Sequence, residues 1–111
     1  AAIRTSELGG TTLIINKGLP TGGTCVNVGC VPSKTLIRSA EAFHKASHPR
    51  FEGIETMFTI SDFKKVIEQK REMVLDLRQE KYVNVIKDDP NITLTEGYGK
   101  LIQSNQVEVN K

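Results

Sequence analysis

The sequence has 111 residues, and 15 Lys and Arg against 13 Asp and Glu leave a net charge of +2. That balance is too slight to point to nucleic acid or an anionic membrane as a partner, and no apolar run is long enough to cross a bilayer. The opening "AAIRTSELGG" lacks the apolar stretch of a signal peptide, so the expectation is a soluble, cytoplasmic protein.

Taken in order, "AAIRTSELGG" reads as the later part of a helix closed by glycines. "TTLIIN" is short, apolar and rich in β-branched residues, which predicts a buried strand. "KGLPTGG" has loop composition. A helix with an irregular start is expected from about Thr24 to Ala46, with Pro32 in its first turn. Ser61 is the expected N-cap of a second helix, with Asp62 favourable in its first turn. Phe63, Val66, Ile67, Val74 and Leu77 then recur at helical spacing, giving a long amphipathic helix to about Ile86. "DDPN" is a turn, and "ITLTEGYGKLIQSNQVEVN" reads as short antiparallel strands. The order fits α/β architecture. Both ends read as cut, so a fragment of a longer protein is expected.

The chemistry concentrates in "GGTCVNVGCVPSK", Gly22 to Lys34, which holds both cysteines. On a regular helix, residues five apart have Cα atoms about 8–9 Å apart, whereas a disulfide wants about 4.4–6.8 Å. For Cys25 and Cys30 to bond, the backbone between them must leave regular helix, and Gly29 eases that. The loop closed is short, so a staple would add little stability. A thiol at a helix start faces unpaired N–H groups that favour thiolate, and Lys34 adds positive charge one turn on. These features suit dithiol exchange. Zinc is an alternative of another class, because His44 and His48 follow at a spacing near the two-cysteine, two-histidine pattern. No hairpin is apparent around the cysteines, however, and the ordinary reading of His44 and His48 is a pair of surface histidines at one helix end.

The whole stretch closely resembles the redox motif of the FAD-dependent pyridine nucleotide–disulfide oxidoreductases, and the resemblance runs over nearly the whole chain. It implies that residues 1–111 are a fragment of the FAD-binding, Rossmann-like domain. The glycine-rich turn for the FAD pyrophosphate, the NAD(P) domain and the interface domain of a homodimer would lie outside it, leaving the fragment alone inactive. The "CVNVGCVPSK" variant and "LRQEKY", ending in Lys81 and Tyr82, resemble the mercury-reducing branch of the family.

Carried over, the resemblance makes Cys25 the thiol on the substrate side and Cys30 the one against the flavin. Gly22, Gly23 and Thr24 would lie along the FAD, and Lys34 near its ring, with Gly18 and Gly99 as further contacts. NADPH would supply electrons through FAD to the Cys25–Cys30 disulfide, with Hg(II) as the substrate held by both sulfurs. A small disulfide substrate, as in dihydrolipoamide dehydrogenases and glutathione reductases, is the alternative. One departure matters: the family's second strand usually ends in an acidic residue that binds ribose hydroxyls. Asn16 stands there instead, and an amide lacks the charge that strengthens such a bond. The loop "GLPTGG" also reads as one residue longer than usual.

Overall fold

Helix α1, Ala2–Glu7, ends where the Gly9 and Gly10 N–H groups donate back to the Ser6 and Thr5 carbonyls, with Gly9 at a φ of 81°. That is the glycine-closed end expected from the sequence. The structure, a computed structural model, describes residues 1–110. Strand β1, Thr12–Asn16, follows, then α2, Gly23–Asn27, and α3, Cys30–Ser47. Next come α4, Phe63–Arg78, one π-helical turn, Gln79–Val83, and α5, Asn84–Lys87. The chain closes with β2, Ile92–Glu96, β3, Tyr98–Gln103, and β4, Gln106–Asn110. No helix among the described residues is long and apolar enough to cross a membrane.

The chain divides into two compact units. One is helical, Thr24–Asp76; the other holds the strands and consists of Ala1–Gly23 with the chain from Leu77 onward.

In the strand unit β1 and β2 pair in parallel, with Thr12 opposite Ile92 and Asn16 opposite Glu96. The Gly97 N–H extends the ladder to the Asn16 carbonyl at 2.8 Å. Ile92 is buried, while Leu13 on β1 is half exposed, so β1 is less buried than its composition suggests. Ser6 of α1 donates to the Asp89 carboxylate at 2.8 Å, and that carboxylate also caps the Asn91 N–H at 2.9 Å. The "DDPN" turn is thereby tied to α1. Among the described residues antiparallel pairing is found only between β3 and β4. The expectation of antiparallel strands from Ile92 onward therefore fails for β2. Its partner is β1, reached across a long helical crossover, and such a crossover is how parallel neighbours are joined.

In the helical unit Val26 and Val74 are buried. On α3 the Thr35 Oγ1 donates to the Val31 carbonyl at 2.8 Å and lies 3.3 Å from the Met73 sulfur of α4. Phe43 meets Phe58 edge to face, with centroids 4.5 Å apart. The long helix begins one residue later than the sequence suggests. Asp62, not Ser61, is its cap, accepting from the Lys64 N–H at 2.9 Å. A carboxylate at this place satisfies a free N–H and faces the positive end of the dipole. Asp62→Ala is expected to loosen the first turn of α4 by about 1 kcal/mol, whereas Ser61→Ala leaves it unchanged. Hydrogen exchange at the Lys64 amide checks both.

Candidate redox site and nucleotide cleft

The two cysteines are brought together by a break in the helix. At the end of α2 the N–H groups of Val28 and Gly29 both donate to the Thr24 carbonyl, at 3.0 and 2.7 Å. That tight turn ends α2, and α3 begins afresh at Cys30. The departure from regular helix that bonding of Cys25 to Cys30 demands is thus present. Glycine suits position 29, because a Cβ there would crowd the Thr24 carbonyl oxygen at 3.0 Å and the Cys25 Cα at 3.4 Å. Pro32 falls in the first turn of α3, where its missing N–H costs no helical bond.

Cys25 and Cys30 are both exposed free thiols. The Cys30 side chain sits within hydrogen-bonding reach of the Cys25 thiol, and that bond pushes the Cys25 thiol above its ordinary 9.0. Desolvation and the charge of Cys30 push the same way. The Cys30 backbone N–H and the Lys34 ammonium oppose the shift but do not overcome it. This corrects the expectation that a helix start lowers Cys25. Its helix, α2, has only five residues, so its dipole is short, and the neighbouring sulfur wins.

The sign of the pH dependence follows. A raised thiol favours the protonated form below the ordinary value, and that preference is lost as pH rises through the shifted one. Peptide-resolved alkylation of the reduced protein by iodoacetamide should show the Cys25 rate rising above pH 9.0. Cys30→Ala moves that inflection down, by removing the largest cause, and Lys34→Gln moves it up. An unmoved inflection in Cys30→Ala would contradict the pairing.

The zinc alternative fails on geometry. Cys30 starts α3 and His44 lies fourteen residues along it, about 21 Å at 1.5 Å per residue. Among the described residues no group of three or more His, Cys, Asp or Glu side chains is placed to hold a metal ion. His44 and His48 instead stack on each other, with centroids 4.2 Å apart, at the C-terminal end of α3.

Of the other candidate residues, Thr24 and Lys34 fall in the helical unit with the cysteines, whereas Asn16, Gly18, Gly22, Gly23 and Gly99 belong to the strand unit. Asn16 and Gly18 line a cleft of about 630 Å³ at the C-terminal ends of β1 and β2, together with Lys17, Glu96 and Gly97. Gly99 borders a neighbouring hollow of about 330 Å³, packed against Ile15. Gly18, Gly22 and Gly23 hold φ values of 94°, 110° and 66°, which side chains seldom adopt. Sequence reasoning missed Glu96. The signal was present in "TEGYG", an acidic residue ending a strand just before a glycine, but only the parallel register shows which strand end it joins.

Comparisons with known proteins give the family. The family described as pyridine nucleotide-disulphide oxidoreductase matches residues 1–111. A mercuric reductase of Bacillus cereus is 44% identical over 110 residues, covering 99% of this chain and 17% of the relative. Dihydrolipoyl dehydrogenase 1, mitochondrial, of Arabidopsis thaliana is 37% identical over 110 residues, covering 98% of this chain and 21% of the relative. The Cu(II) complex of the HOCl-induced flavoprotein disulfide reductase RclA from Escherichia coli superposes with a TM-score of 0.76 at 28% identity. That match covers 99% of this chain and 21% of the RclA chain. The chain thus spans about a fifth of the length of the proteins it matches.

Proposed function

Because the chain belongs to the pyridine nucleotide-disulphide oxidoreductase family, we propose that it carries the dithiol centre of an FAD-dependent reductase that uses NADPH to reduce Hg(II). The observation that carries this reading is the Cys25–Cys30 pair, set sulfur to sulfur across the helix break beside Lys34. Residues 1–111 form part of the FAD-binding domain of a longer cytoplasmic homodimer, whose remaining parts supply NADPH binding.

The residues present fit a flavin dinucleotide. At Gly18 and Gly23 nothing lies within 4 Å of where a Cβ would stand, so the backbone is open there to a bulky ligand. The cleft at the C-terminal ends of β1 and β2 has the position in which open parallel sheets take dinucleotides. Gly18, Gly22, Gly23, Thr24, Lys34 and Gly99 are the residues proposed to hold FAD. When bound, FAD supplies the two-electron relay between NADPH and the cysteines.

The chain's own residues do the rest. In the oxidised pair the S–S bond breaks as two electrons arrive, and each sulfur takes up a proton. The Cys25 thiol lies within hydrogen-bonding reach of the Cys30 sulfur, the one proposed to face the flavin. Exposed Cys25 meets the substrate. Hg(II) displaces a proton from each thiol and is held between two soft sulfurs, its preferred ligands. Two electrons originating from NADPH would reduce the held Hg(II), which would leave as Hg(0), and the two sulfurs would take back two protons, one originating in the hydride and one from solvent. Lys34 favours negative charge near the pair.

Support for mercury comes from relatives in Bacillus cereus, Lysinibacillus sphaericus and Staphylococcus aureus, each named mercuric reductase, at 44%, 41% and 37% identity. The dihydrolipoyl dehydrogenase likeness at 37% favours a second reading, a small disulfide substrate reduced by the same pair. NADPH consumption by the intact flavoprotein separates them. The first reading expects turnover with Hg(II) and little with lipoamide or glutathione disulfide. Turnover with a disulfide and none with Hg(II) selects the second.

A further inference from the structure

The strand end where the family's ribose-binding acid is expected carries Asn16, yet a carboxylate stands there all the same. It belongs to Glu96, directly opposite Asn16 in the parallel register of β1 and β2. Asn16 Nδ2 donates to both oxygens of Glu96, at 3.0 and 3.1 Å, and to the Leu19 carbonyl at 3.0 Å. Those bonds use the two amide hydrogens of Asn16, which leaves it no donor to offer a ligand. Glu96 is in the opposite condition. An ionised carboxylate has about four acceptor sites, and the Asn16 amide occupies only part of them. No described lysine or arginine forms an ion pair with it. Its side chain is exposed and lines the 630 Å³ cleft beside Gly18 and Gly97.

We propose that Glu96, reaching across from the neighbouring strand, is the acceptor for the adenosine ribose hydroxyls of FAD, and that Asn16 is a positioning residue that aims its carboxylate. The inference rests on the FAD reading above and supplies a residue that reading lacks. A carboxylate accepts from hydroxyls more strongly than a neutral amide oxygen, and two oxygens can serve two vicinal hydroxyls at once. The charge lost from β1 by the presence of Asn16 is thus restored from β2. The parallel register alone brings the carboxylate and the amide together.

The test uses the intact protein with its flavin removed. It is titrated with FAD, and with the FAD analogue that lacks both hydroxyls on the adenosine ribose, and followed by flavin fluorescence. Wild-type protein is expected to prefer FAD by at least about tenfold, the lower range for a charge-assisted hydrogen bond. Glu96→Gln, which keeps the side chain's shape, should bind both flavins alike. The exchange Asn16→Asp with Glu96→Gln, which puts the carboxylate back on β1, should restore the preference. A wild-type protein that does not discriminate overturns the inference, and this needs no variant. So does a Glu96→Gln protein that discriminates as well as wild type, since Glu96 and Asn16 are then a cross-strand pair only. In both cases FAD still binds and the family reading stands. A protein that takes up no FAD at all overturns that reading and the inference with it.

Discussion

Replacing Cys30 with serine in the intact flavoprotein is expected to lower turnover by on the order of a thousandfold or more, the scale of losing one member of a catalytic unit. Cys25→Ser should cost as much, because a dithiol relay needs two sulfurs and neither can complete the exchange alone. The spectra should separate them. With Cys25 gone, the Cys30 sulfur has no disulfide partner and stays reduced. The long-wavelength absorbance of a thiolate lying against flavin should then persist or grow. With Cys30 gone, it should vanish. The reverse pattern would exchange the two roles, and full activity in both variants would remove the pair from catalysis.

A comparably large effect is expected from Gly29→Val, which touches neither sulfur. A Cβ at 29 already lies 3.0 Å from the Thr24 carbonyl oxygen, and valine adds two methyl groups to it. The turn must open, and with it the hydrogen bonds from Val28 and Gly29 that set Cys30 beside Cys25. Overpacking of this kind costs about 1–3 kcal/mol, so the equilibrium constant for closing the disulfide should fall roughly tenfold to a hundredfold. Equilibration with glutathione buffers measures that constant directly. Both thiols should remain present and alkylatable, which distinguishes a misplaced pair from a missing one.

The redox pair was legible in the sequence because its determinants are local. Two cysteines, the glycine that permits the turn and the proline that opens α3 all fall within "GGTCVNVGCVPSK". The amphipathic spacing of Val66, Ile67 and Val74 likewise announced α4. Alternation of apolar and polar residues marked Ile92–Glu96 as a strand but carries no information on its direction, so its parallel pairing with β1 came only from the fold. Glu96 escaped notice for the same reason: residues eighty positions apart meet through the register. The direction of the Cys25 shift was misjudged because a helix start is a sequence feature, whereas the sulfur that outweighs it is a spatial neighbour. The N-cap moved by one residue, from Ser61 to Asp62, because both are good caps and only backbone geometry chooses between them.

The central claim is that Cys25 and Cys30 are one reversible two-electron couple. It is tested most directly by poising the intact protein in glutathione buffers of graded ratio, trapping with iodoacetamide, and mass analysis of the peptide spanning both residues. The account predicts two populations only, one with neither thiol alkylated and an internal disulfide, the other with both alkylated. They should interconvert in a single two-electron transition. Two thiols that stay alkylatable under the most oxidising buffer, or that bond to glutathione independently of one another, would contradict it.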